Sequence, residues 1–253
     1  MEKTDIFYGV KTCYMEEGEG RDMILLHGWG QNKEMMQAVF DHFKDRFHVI
    51  AIDFPGFGSS EEPPEPWGVP EYEAYLSDMI EKLGLKDVIL IGHSFGCRVA
   101  IRYAADHQDN VRKMCLTGAA GIRPKRGLDY QIRTKAYKAG KWFLKVTGQN
   151  EKLEELQKNS GSEDYRNAQG VMRPTFVKVV NDDVSPILKD VKCSVLLVWG
   201  EYDTAAPLWM GQQMEKEMPD AGLAVFEGDD HWAYWHQADR FNRVLDVFLK
   251  EDM

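Results

Sequence analysis

The chain has 253 residues, of which 43% are hydrophobic and 28% charged, and its formal net charge is −10. This composition predicts one large globular domain, alone or with an insertion, and the negative charge argues against nucleic-acid binding as its main role. No apolar run is long enough to span a membrane, and the opening residues MEKTDIFYGV lack the apolar core of a signal peptide. We therefore expect a cytoplasmic protein with a small-molecule substrate and no membrane or nucleic-acid partner.

The chain alternates short apolar runs with helical patterns. The apolar runs predict buried strands at 23–26, 49–52, 88–91, 114–117, 195–199 and 223–226. The helical patterns fall at about 33–45, 71–84, 95–107, 207–217 and 236–250. This order predicts an α/β fold with a mostly parallel central sheet and helices on both faces. Residues 6–8 and 12–14 are expected to add an antiparallel hairpin at one edge, so 114–117 becomes the sixth strand.

The alternation stops between Gly121 and about Asp190, where no buried strand is evident. Helical patterns occupy the segment instead, near 128–146, near 151–158 and in pieces across 163–181. We expect Gly170 and Pro174 to interrupt the last of these. The predicted organisation is an α/β core of residues 1–120 and 190–253, with a helical cap, residues 121–189, inserted after the sixth strand. Since α/β folds bind ligands at the carboxyl ends of their strands, such a cap would cover the site.

A serine stands between two glycines where the third predicted parallel strand meets a helix. The stretch LIGHSFGCRVA, residues 90–100, places Ser94 between Gly92 and Gly96. A turn this sharp brings strand and helix so close that the residues two positions before and after the serine must be small. It also presents the hydroxyl near a helix N-terminus, where N–H groups favour negative charge. The short pattern arises by chance in some chains, but its strand–turn–helix context favours Ser94 as a nucleophile over a plain glycine turn.

A serine nucleophile needs a base and an acid that orients the base. His231 follows the last predicted strand and is the best candidate for the base. Asp203 follows the preceding strand and is preferred as the acid, with Glu201 as its nearest competitor. Asp229 and Asp230 are so close to His231 in sequence that we expect them to point elsewhere.

An acyl-transfer site also needs two N–H donors for the oxyanion. One candidate is the backbone N–H of Phe95, directly after the serine, and the other is the N–H of Trp29 in the loop HGWG. The HGWG loop could also be an ordinary glycine turn. The glycine-rich stretch 53–60 follows another strand, and we interpret it as a structural support for the neighbouring loops.

Together these stretches resemble the α/β-hydrolase superfamily in their order and spacing. The stretches are HGWG at 27–30, DFPGFGSS at 53–60, GHSFG at 92–96, GEYDTAAP at 200–207 and GDDH at 228–231. The resemblance covers essentially the whole chain, and residues 121–189 correspond to the variable cap of that superfamily.

The resemblance implies a role for each candidate residue. Ser94 would be the nucleophile, His231 the general base and then acid, and Asp203 the residue that orients His231. The N–H groups of Trp29 and Phe95 would form the oxyanion hole. No cofactor and no metal is implied, and the four scattered cysteines show no metal-ligand spacing.

Three functions are considered at this stage, and we expect the first of them, with the other two as alternatives. The first is a serine esterase that cleaves a small to medium carboxylic ester through an acyl-enzyme on Ser94. The second is a carbon–carbon bond hydrolase acting on a diketone-like product of aromatic degradation, with Arg166 or Arg173 of the cap holding a carboxylate. The third is a slow or non-catalytic small-molecule receptor. A serine at position 94 argues against the related dehalogenases and epoxide hydrolases, which carry aspartate there.

The cap sequence supports two further hypotheses. Basic residues crowd its start and could attract anionic substrates or form an ordinary solvated face: Arg123, Lys125, Arg126, Arg133, Lys135, Lys138, Lys141 and Lys145. Aromatic residues on its long helix could line an apolar pocket or simply pack: Tyr137, Trp142 and Phe143. The sequence does not determine the natural substrate or the oligomeric state.

Overall fold

The computed structural model describes residues 1–123, 128–150, 152, 156 and 162–253, so most of the helix predicted near 151–158 lies outside the described residues. The strands are β1 (Glu2–Phe7), β2 (Val10–Glu17), β3 (Asp22–Leu26), β4 (His48–Ile52), β5 (Val88–His93), β6 (Val111–Thr117), β7 (Ser194–Gly200) and β8 (Ala221–Phe226). They form one sheet in the order β1-β2-β4-β3-β5-β6-β7-β8.

The α-helices within the described residues connect and cover these strands. They are α1 (Gln37–Phe43), α2 (Val69–Leu83), α3 (Phe95–Asp106), α4 (Leu128–Val146), α5 (Glu163–Asn167), α6 (Met172–Val180), α7 (Leu208–Glu217), α8 (Ala233–His236) and α9 (Ala238–Phe248). Short 3₁₀ turns occupy Lys33–Met36, Gln108–Asn110 and Ser185–Asp190. None of the helices in the described part of the chain has the length and hydropathy that a membrane span requires.

The sheet confirms the predicted α/β architecture. Strands β3 to β8 run parallel, and β1 and β2 add the antiparallel edge. Successive apolar side chains point to opposite faces of a strand, so a strand covered on both sides has apolar residues throughout. In β3, Ile24 and Leu26 enter the larger core on one face, whereas Met23 and Leu25 enter the core on the other. All positions of β5 are buried, which explains its continuous apolar sequence.

Helices α4, α5 and α6 lie between β6 and β7, where the sequence predicts the insertion. Gly170, with φ of +48°, separates α5 from α6 as expected. The prediction that Pro174 interrupts a helix is wrong, because α6 begins at Met172 and runs through it. Pro174 is the third residue of that helix, and the N–H groups of a first turn have no partner within the helix, so proline removes no hydrogen bond there.

The C-terminal helix predicted at about 236–250 is present as α9, Ala238–Phe248, and a break at Gln237 separates it from the short helix α8 that precedes it. The backbone of Gln237 leaves the helical region, at φ −114° and ψ +46°. The side chain of Asp229 accepts hydrogen bonds from Gln237 Nε2 at 2.8 Å and lies 2.7 Å from Nδ1 of His236. These bonds tie the break to the loop after β8, which explains why helical periodicity alone does not reveal it.

Candidate active site

Ser94 occupies the turn between β5 and α3 in a strained backbone conformation. Its φ is +48° and its ψ −102°, values that a residue with a side chain adopts rarely. The N–H of Ser94 donates to the carbonyl of Thr117 at the end of the adjacent β6, at 3.0 Å. A strained residue held by the neighbouring strand is a feature of functional turns, and this turn fixes the direction in which the hydroxyl leaves the sheet.

The two glycines that bracket Ser94 are sterically required. A Cβ on Gly96 would lie 2.3 Å from the carbonyl oxygen of Leu26 in β3, and one on Gly92 would lie 3.0 Å from the backbone nitrogen of Cys97. The contacted atoms belong to backbone that cannot swing aside. The close approach of helix α3 to the sheet therefore explains the G-x-S-x-G spacing.

Asp203 and His231 form a hydrogen-bonded pair next to this turn. His231 Nδ1 lies 2.7 Å from Asp203 Oδ2, and the Asp203 carboxylate is buried. The other oxygen of Asp203 accepts from the backbone N–H groups of Ala205 and Ala206, at 2.9 and 2.7 Å. An ionised carboxylate facing Nδ1 favours the tautomer that carries a proton on Nδ1, which leaves Nε2 free to accept a proton.

The competing acids have other partners. Glu201 accepts from the N–H of Gly228 at 3.0 Å and is exposed. Asp229 bonds with His236 and Gln237, as described above, and Asp230 caps the following turn by accepting from the N–H of Trp232. Of these acids, Asp203 is the one whose carboxylate contacts His231, and its role as the acid stays a prediction.

A partly buried chain of hydrogen bonds connects the loop that carries Trp29 to the loop that carries His231. The amide oxygen of Gln31 accepts from the N–H of Gly28 at 3.1 Å, and its nitrogen lies 3.0 Å from His93 Nδ1. His93 Nε2 lies 3.0 Å from the carbonyl oxygen of His231 and, as a neutral ring, donates to it. Burial, with a smaller effect of His231, holds the pKa of His93 well below its ordinary value. His93 therefore links Gln31 to the loop of His231, and no pattern in the sequence marks Gln31 as part of the site.

The two expected oxyanion donors face the same region. Phe95 is the first residue of α3, so its N–H has no acceptor within the helix. Within the described residues, no hydrogen-bond acceptor is found for the N–H of Trp29 either. The Trp29 ring packs against Phe57, Phe95 and Phe176, with ring centroids 4.8, 5.7 and 5.1 Å away. This packing holds the loop in place.

The glycine-rich turn at 53–60 has the structural role expected of it. Asp53 is fully buried and pairs with the buried ammonium of Lys33 at 2.9 Å. It also accepts from the backbone N–H groups of Lys33 and Ser59, at 2.7 and 2.9 Å. A Cβ on Gly58 would lie 2.3 Å from this carboxylate. The turn thereby fixes the segment that follows the HGWG loop.

A cavity of about 680 Å³ opens beside these residues. Its walls include Trp29, Ser94, Phe95 and His231, and Asp203 lies behind His231. The walls also include residues of the insertion, among them Asp164 of α5 and Phe176 of α6. Four of the five predicted site residues thus line one cavity, and the fifth supports it.

The cavity wall carries charges of both signs. Its acidic residues are Glu163, Asp164, Asp182 and Asp230, and its basic residues are Arg98 and Arg123. Burial and the adjacent Glu163 raise the pKa of Asp164. Asp164 lies near the HGWG loop, because a Cβ on Gly30 would be 3.9 Å from its Oδ1.

The cap arginines named as carboxylate ligands do not line this cavity. Arg173 Nε donates to the carbonyl of Ala168, and its guanidinium lies 5.8 Å from the ring centre of Tyr165. Arg173 borders a different surface pocket, together with Lys141 and Lys178. Arg166 is not among the cavity-lining residues either. The expectation fails because α5 and α6 direct other side chains toward Ser94, namely Asp164 and Phe176.

The basic stretch of the cap contributes little to the cavity wall. Arg123 lines the cavity, whereas Lys135, Lys138 and Lys145 are exposed on α4, and Lys125 and Arg126 lie outside the described residues. Trp142 and Phe143 are 67% and 55% exposed and do not line the cavity. Tyr137 instead bonds through its hydroxyl to that of Tyr165, at 3.2 Å. The aromatic-pocket hypothesis is not supported for these side chains.

One group of potential metal ligands occurs within the described residues. Single ligand atoms of Asp229, Asp230 and His236 lie within 4.8 Å of one another. Asp229 is already bonded to His236 and Gln237, and Asp230 to the N–H of Trp232. These contacts explain the cluster, and it gives no ground for assigning a metal site.

Comparison with known proteins identifies the family. Residues 23–244 match the alpha/beta hydrolase family, and the chain belongs to it. Among its relatives, 2-hydroxy-6-oxo-6-phenylhexa-2,4-dienoate hydrolase of Comamonas testosteroni is 29% identical over 94% of this chain and 91% of that protein. A 2-hydroxy-6-oxononadienedioate/2-hydroxy-6-oxononatrienedioate hydrolase of the same species is 28% identical over 92% of this chain and 89% of that protein.

Solved structures show the same fold at lower identity. An esterase from Exiguobacterium antarcticum superposes with a TM-score of 0.77 at 20% identity and covers 99% of this chain and 100% of its own. A meta-cleavage product hydrolase from Pseudomonas fluorescens IP01 gives 0.75 at 22% identity, covering 98% and 97%. These structures support the architecture, including an eight-stranded, mostly parallel sheet, and do not distinguish between reactions.

Proposed function

We propose that the protein is a serine hydrolase that cleaves a carbon–carbon bond next to a ketone, in a substrate resembling a 2-hydroxy-6-oxo-dienoate. The observation that carries the hydrolase assignment is the Asp203–His231 pair, 2.7 Å apart, beside a cavity that Ser94 also lines. The relatives favour the choice of bond, since the two named above are hydrolases of such dienoates. Their alignments with this chain extend over nearly the full length of both proteins. The sequence ranks ester cleavage first, and the relatives reverse that order.

In the proposed reaction, Ser94 Oγ attacks the ketone carbon while His231 Nε2 takes the hydroxyl proton. The N–H groups of Trp29 and Phe95 stabilise the negative oxygen of the tetrahedral intermediate. Cleavage requires the 2,6-diketo tautomer of the substrate, in which the 2-hydroxyl proton has moved to C5. When the intermediate formed on this tautomer collapses, the C5–C6 bond breaks and its electron pair leaves as a dienolate, which takes the proton from His231. Water activated by His231 then releases the acid from Ser94. The reaction as proposed requires no metal and no cofactor.

We propose further that residues 121–189 act as a cap over a core formed by residues 1–120 and 190–253. The support is that Asp164 and Phe176 from this segment line the cavity, and that Phe176 packs on the ring of Trp29. Segments that connect strands tolerate sequence changes better than the strands themselves, so a cavity wall formed by such a segment is suited to substrate selection.

The test compares two substrate classes on two proteins. Wild type and Ser94→Ala are assayed with 2-hydroxy-6-oxo-6-phenylhexa-2,4-dienoate, by loss of its absorbance, and with p-nitrophenyl esters of graded acyl length. We expect kcat/KM of the wild type to be higher for the dienoate than for every ester. Ser94→Ala should lose several orders of magnitude in kcat, as other triad serine variants do. Turnover of esters without turnover of the dienoate would restore the esterase hypothesis, and turnover of neither would favour a receptor.

A further inference from the structure

A buried arginine faces the cavity one helical turn beyond the candidate nucleophile. Arg98 lies four residues after Ser94, and positions so spaced along a helix share one side of it. Both residues line the cavity. Arg98 is only 9% exposed, and its Cγ lies 3.5 Å from where a Cβ on Gly121 would be, so its stem is packed at the base of the insertion.

The guanidinium of Arg98 is poorly paired for a buried charge. Its Nη1 donates to the backbone carbonyl of Asp182 at 2.8 Å. Within the described ranges of the chain, no carboxylate oxygen lies within ion-pair distance of it. Arg102, one turn further along α3, differs, because its Nη2 pairs with Asp182 Oδ1 at 3.0 Å. A guanidinium has several N–H donors in a planar fork, so Arg98 retains capacity to bind a second group.

Burial makes the positive charge of Arg98 energetically unfavourable. Burial lowers its pKa to about 10, while Asp182 and Asp183 oppose that shift and Arg123 adds to it. The group remains cationic at neutral pH. A buried charge without a close counter-ion is unfavourable, and an anion that enters beside it relieves that cost. Arg123, at the cavity wall as well, adds positive potential at this end.

We propose that Arg98 anchors a carboxylate of the substrate, so that the cavity selects ketones or esters carrying an anionic group remote from the carbonyl under attack. This inference depends on the proposed function and assigns its substrate class from this chain's own residues. The carboxylates of Asp164 and Asp230 line the cavity, and Asp164 interacts with the charge of His231, so an anion is disfavoured there. The carboxylate of Asp182, which lies beside Arg98, is paired with Arg102. The charges therefore orient the substrate, with its carboxylate on Arg98 and its uncharged end beneath α5.

Binding measured without turnover tests the anchor. The probes are 5-oxo-5-phenylpentanoate, a stable ketone with a remote carboxylate, and its primary amide, which has the same shape and no charge. Calorimetric titrations use proteins that all carry Ser94→Ala, with Arg98 intact, with Arg98→Gln, or with Arg102→Gln as the matched control. With Arg98 intact, we expect the carboxylate to bind about 10- to 100-fold more tightly than the amide.

Arg98→Gln should remove that preference and leave the amide affinity within about threefold, whereas Arg102→Gln should keep it. No preference with Arg98 intact, a preference that survives Arg98→Gln, or equal loss in both variants overturns the proposal. Equal loss would mean that both arginines merely hold α3 against residue 182.

A second measurement does not require the Gln variant to fold. The Nε–H signal of Arg98 in a nitrogen-correlated NMR spectrum of the protein, assigned by its absence in Arg98→Lys, should move on addition of the keto acid and not of the amide. A signal that stays in place overturns the anchor. The two proposals fail separately: turnover retained by Ser94→Ala overturns the proposed function, and a lost anchor with Ser94-dependent turnover intact overturns only this inference.

Discussion

The two oxygens of the Asp203 carboxylate contact different partners, which together fix its position. Oδ1 accepts from two consecutive backbone N–H groups in the loop after β7, and Oδ2 faces His231. The backbone bonds hold the carboxylate even when the histidine moves. The residue can therefore orient His231 without itself needing freedom to adjust, which is what the acid of a triad must do.

Replacing Asp203 with Asn should abolish most activity while keeping the loop. The Asn oxygen can still accept from Ala205 and Ala206, but its amide nitrogen would face Nδ1 of His231 and favour the wrong tautomer. By analogy with other triads, we expect kcat to fall by roughly four decades. Glu201→Gln is the matched control and should stay within about threefold of wild type, because Glu201 is exposed and bonds only to the Gly228 N–H among the described residues. The reverse pattern would mean that Glu201 is the acid.

Some of these residues can be predicted from sequence and others cannot. Ser94, Asp203 and His231 each follow an apolar strand, and parallel strands bring their carboxyl ends to one edge, so their proximity follows from the pattern. Arg98 and Gln31 lie within a helix and a loop, where nothing in the sequence distinguishes a cavity-facing polar residue from a solvated one. Their surroundings are set by tertiary contacts: Arg98 packs against the base of the insertion, and Gln31 bonds with Gly28 and His93.

At the scale of elements, the turn between β5 and α3 leaves no space for a side chain at position 96. Gly96 lies against the backbone of β3, so the helix, its neighbouring strand and Ser94 form one rigid unit. Because of this close contact, any side chain at position 96 would overlap the backbone of β3. The nearby Gly118, with φ of +52°, is similarly confined, since a Cβ there would lie 2.9 Å from His231 Nδ1.

Gly96→Ala should therefore destabilise the protein strongly. The added methyl would overlap the carbonyl oxygen of Leu26, and forcing such a group into packed backbone costs about 1–3 kcal/mol or more of unfolding free energy. Gly140→Ala, in the interior of α4, is the control. Among the described residues, the nearest atom to its Cβ would be Cδ2 of Leu156 at 3.7 Å, and alanine favours a helix over glycine by about 1 kcal/mol. Denaturant titrations should show opposite signs, and similar effects at both sites would contradict this account of the turn.

Two helix boundaries differ from those that the apolar periodicity predicts. The parallel strands and most helices agree with the apolar periodicity, because burial on both faces of the sheet imposes it. Pro174 fits inside α6 because it falls in the first turn, a detail that depends on where the helix begins. The break at Gln237 depends on Asp229, a residue on another element. Neither boundary is encoded in the periodicity of its own segment.

At the scale of the whole molecule, histidines of two kinds set opposite responses to pH. His27 and His93 are fully buried. Burial is the main cause that lowers the pKa of His27 to about 4 and that of His93 well below its ordinary value. His48 is different: burial opposes its charge, but hydrogen bonds with Asp22 and Glu16 raise its pKa overall. At the surface, a hydrogen bond with Asp229 raises the pKa of His236.

These shifts predict a stability maximum near neutral pH. As pH falls below about 6.5, the unfolded chain binds protons at positions 27 and 93 that the folded protein excludes, so the unfolding free energy should fall by up to about 1.4 kcal/mol per pH unit for each histidine. For His27 this loss continues down to its folded pKa of about 4. His48 has the opposite sign, because its stabilisation is complete below the unfolded pKa and is lost as pH rises through its raised folded value. Denaturant unfolding from pH 4.5 to 8.5 checks the curve, and His27→Gln should make its acid limb shallower. NMR titration of the wild type offers a check without mutation, since the His27 ring should stay neutral at pH 5.5. Protonation of His27 there, or stability that rises on acidification, would contradict the prediction.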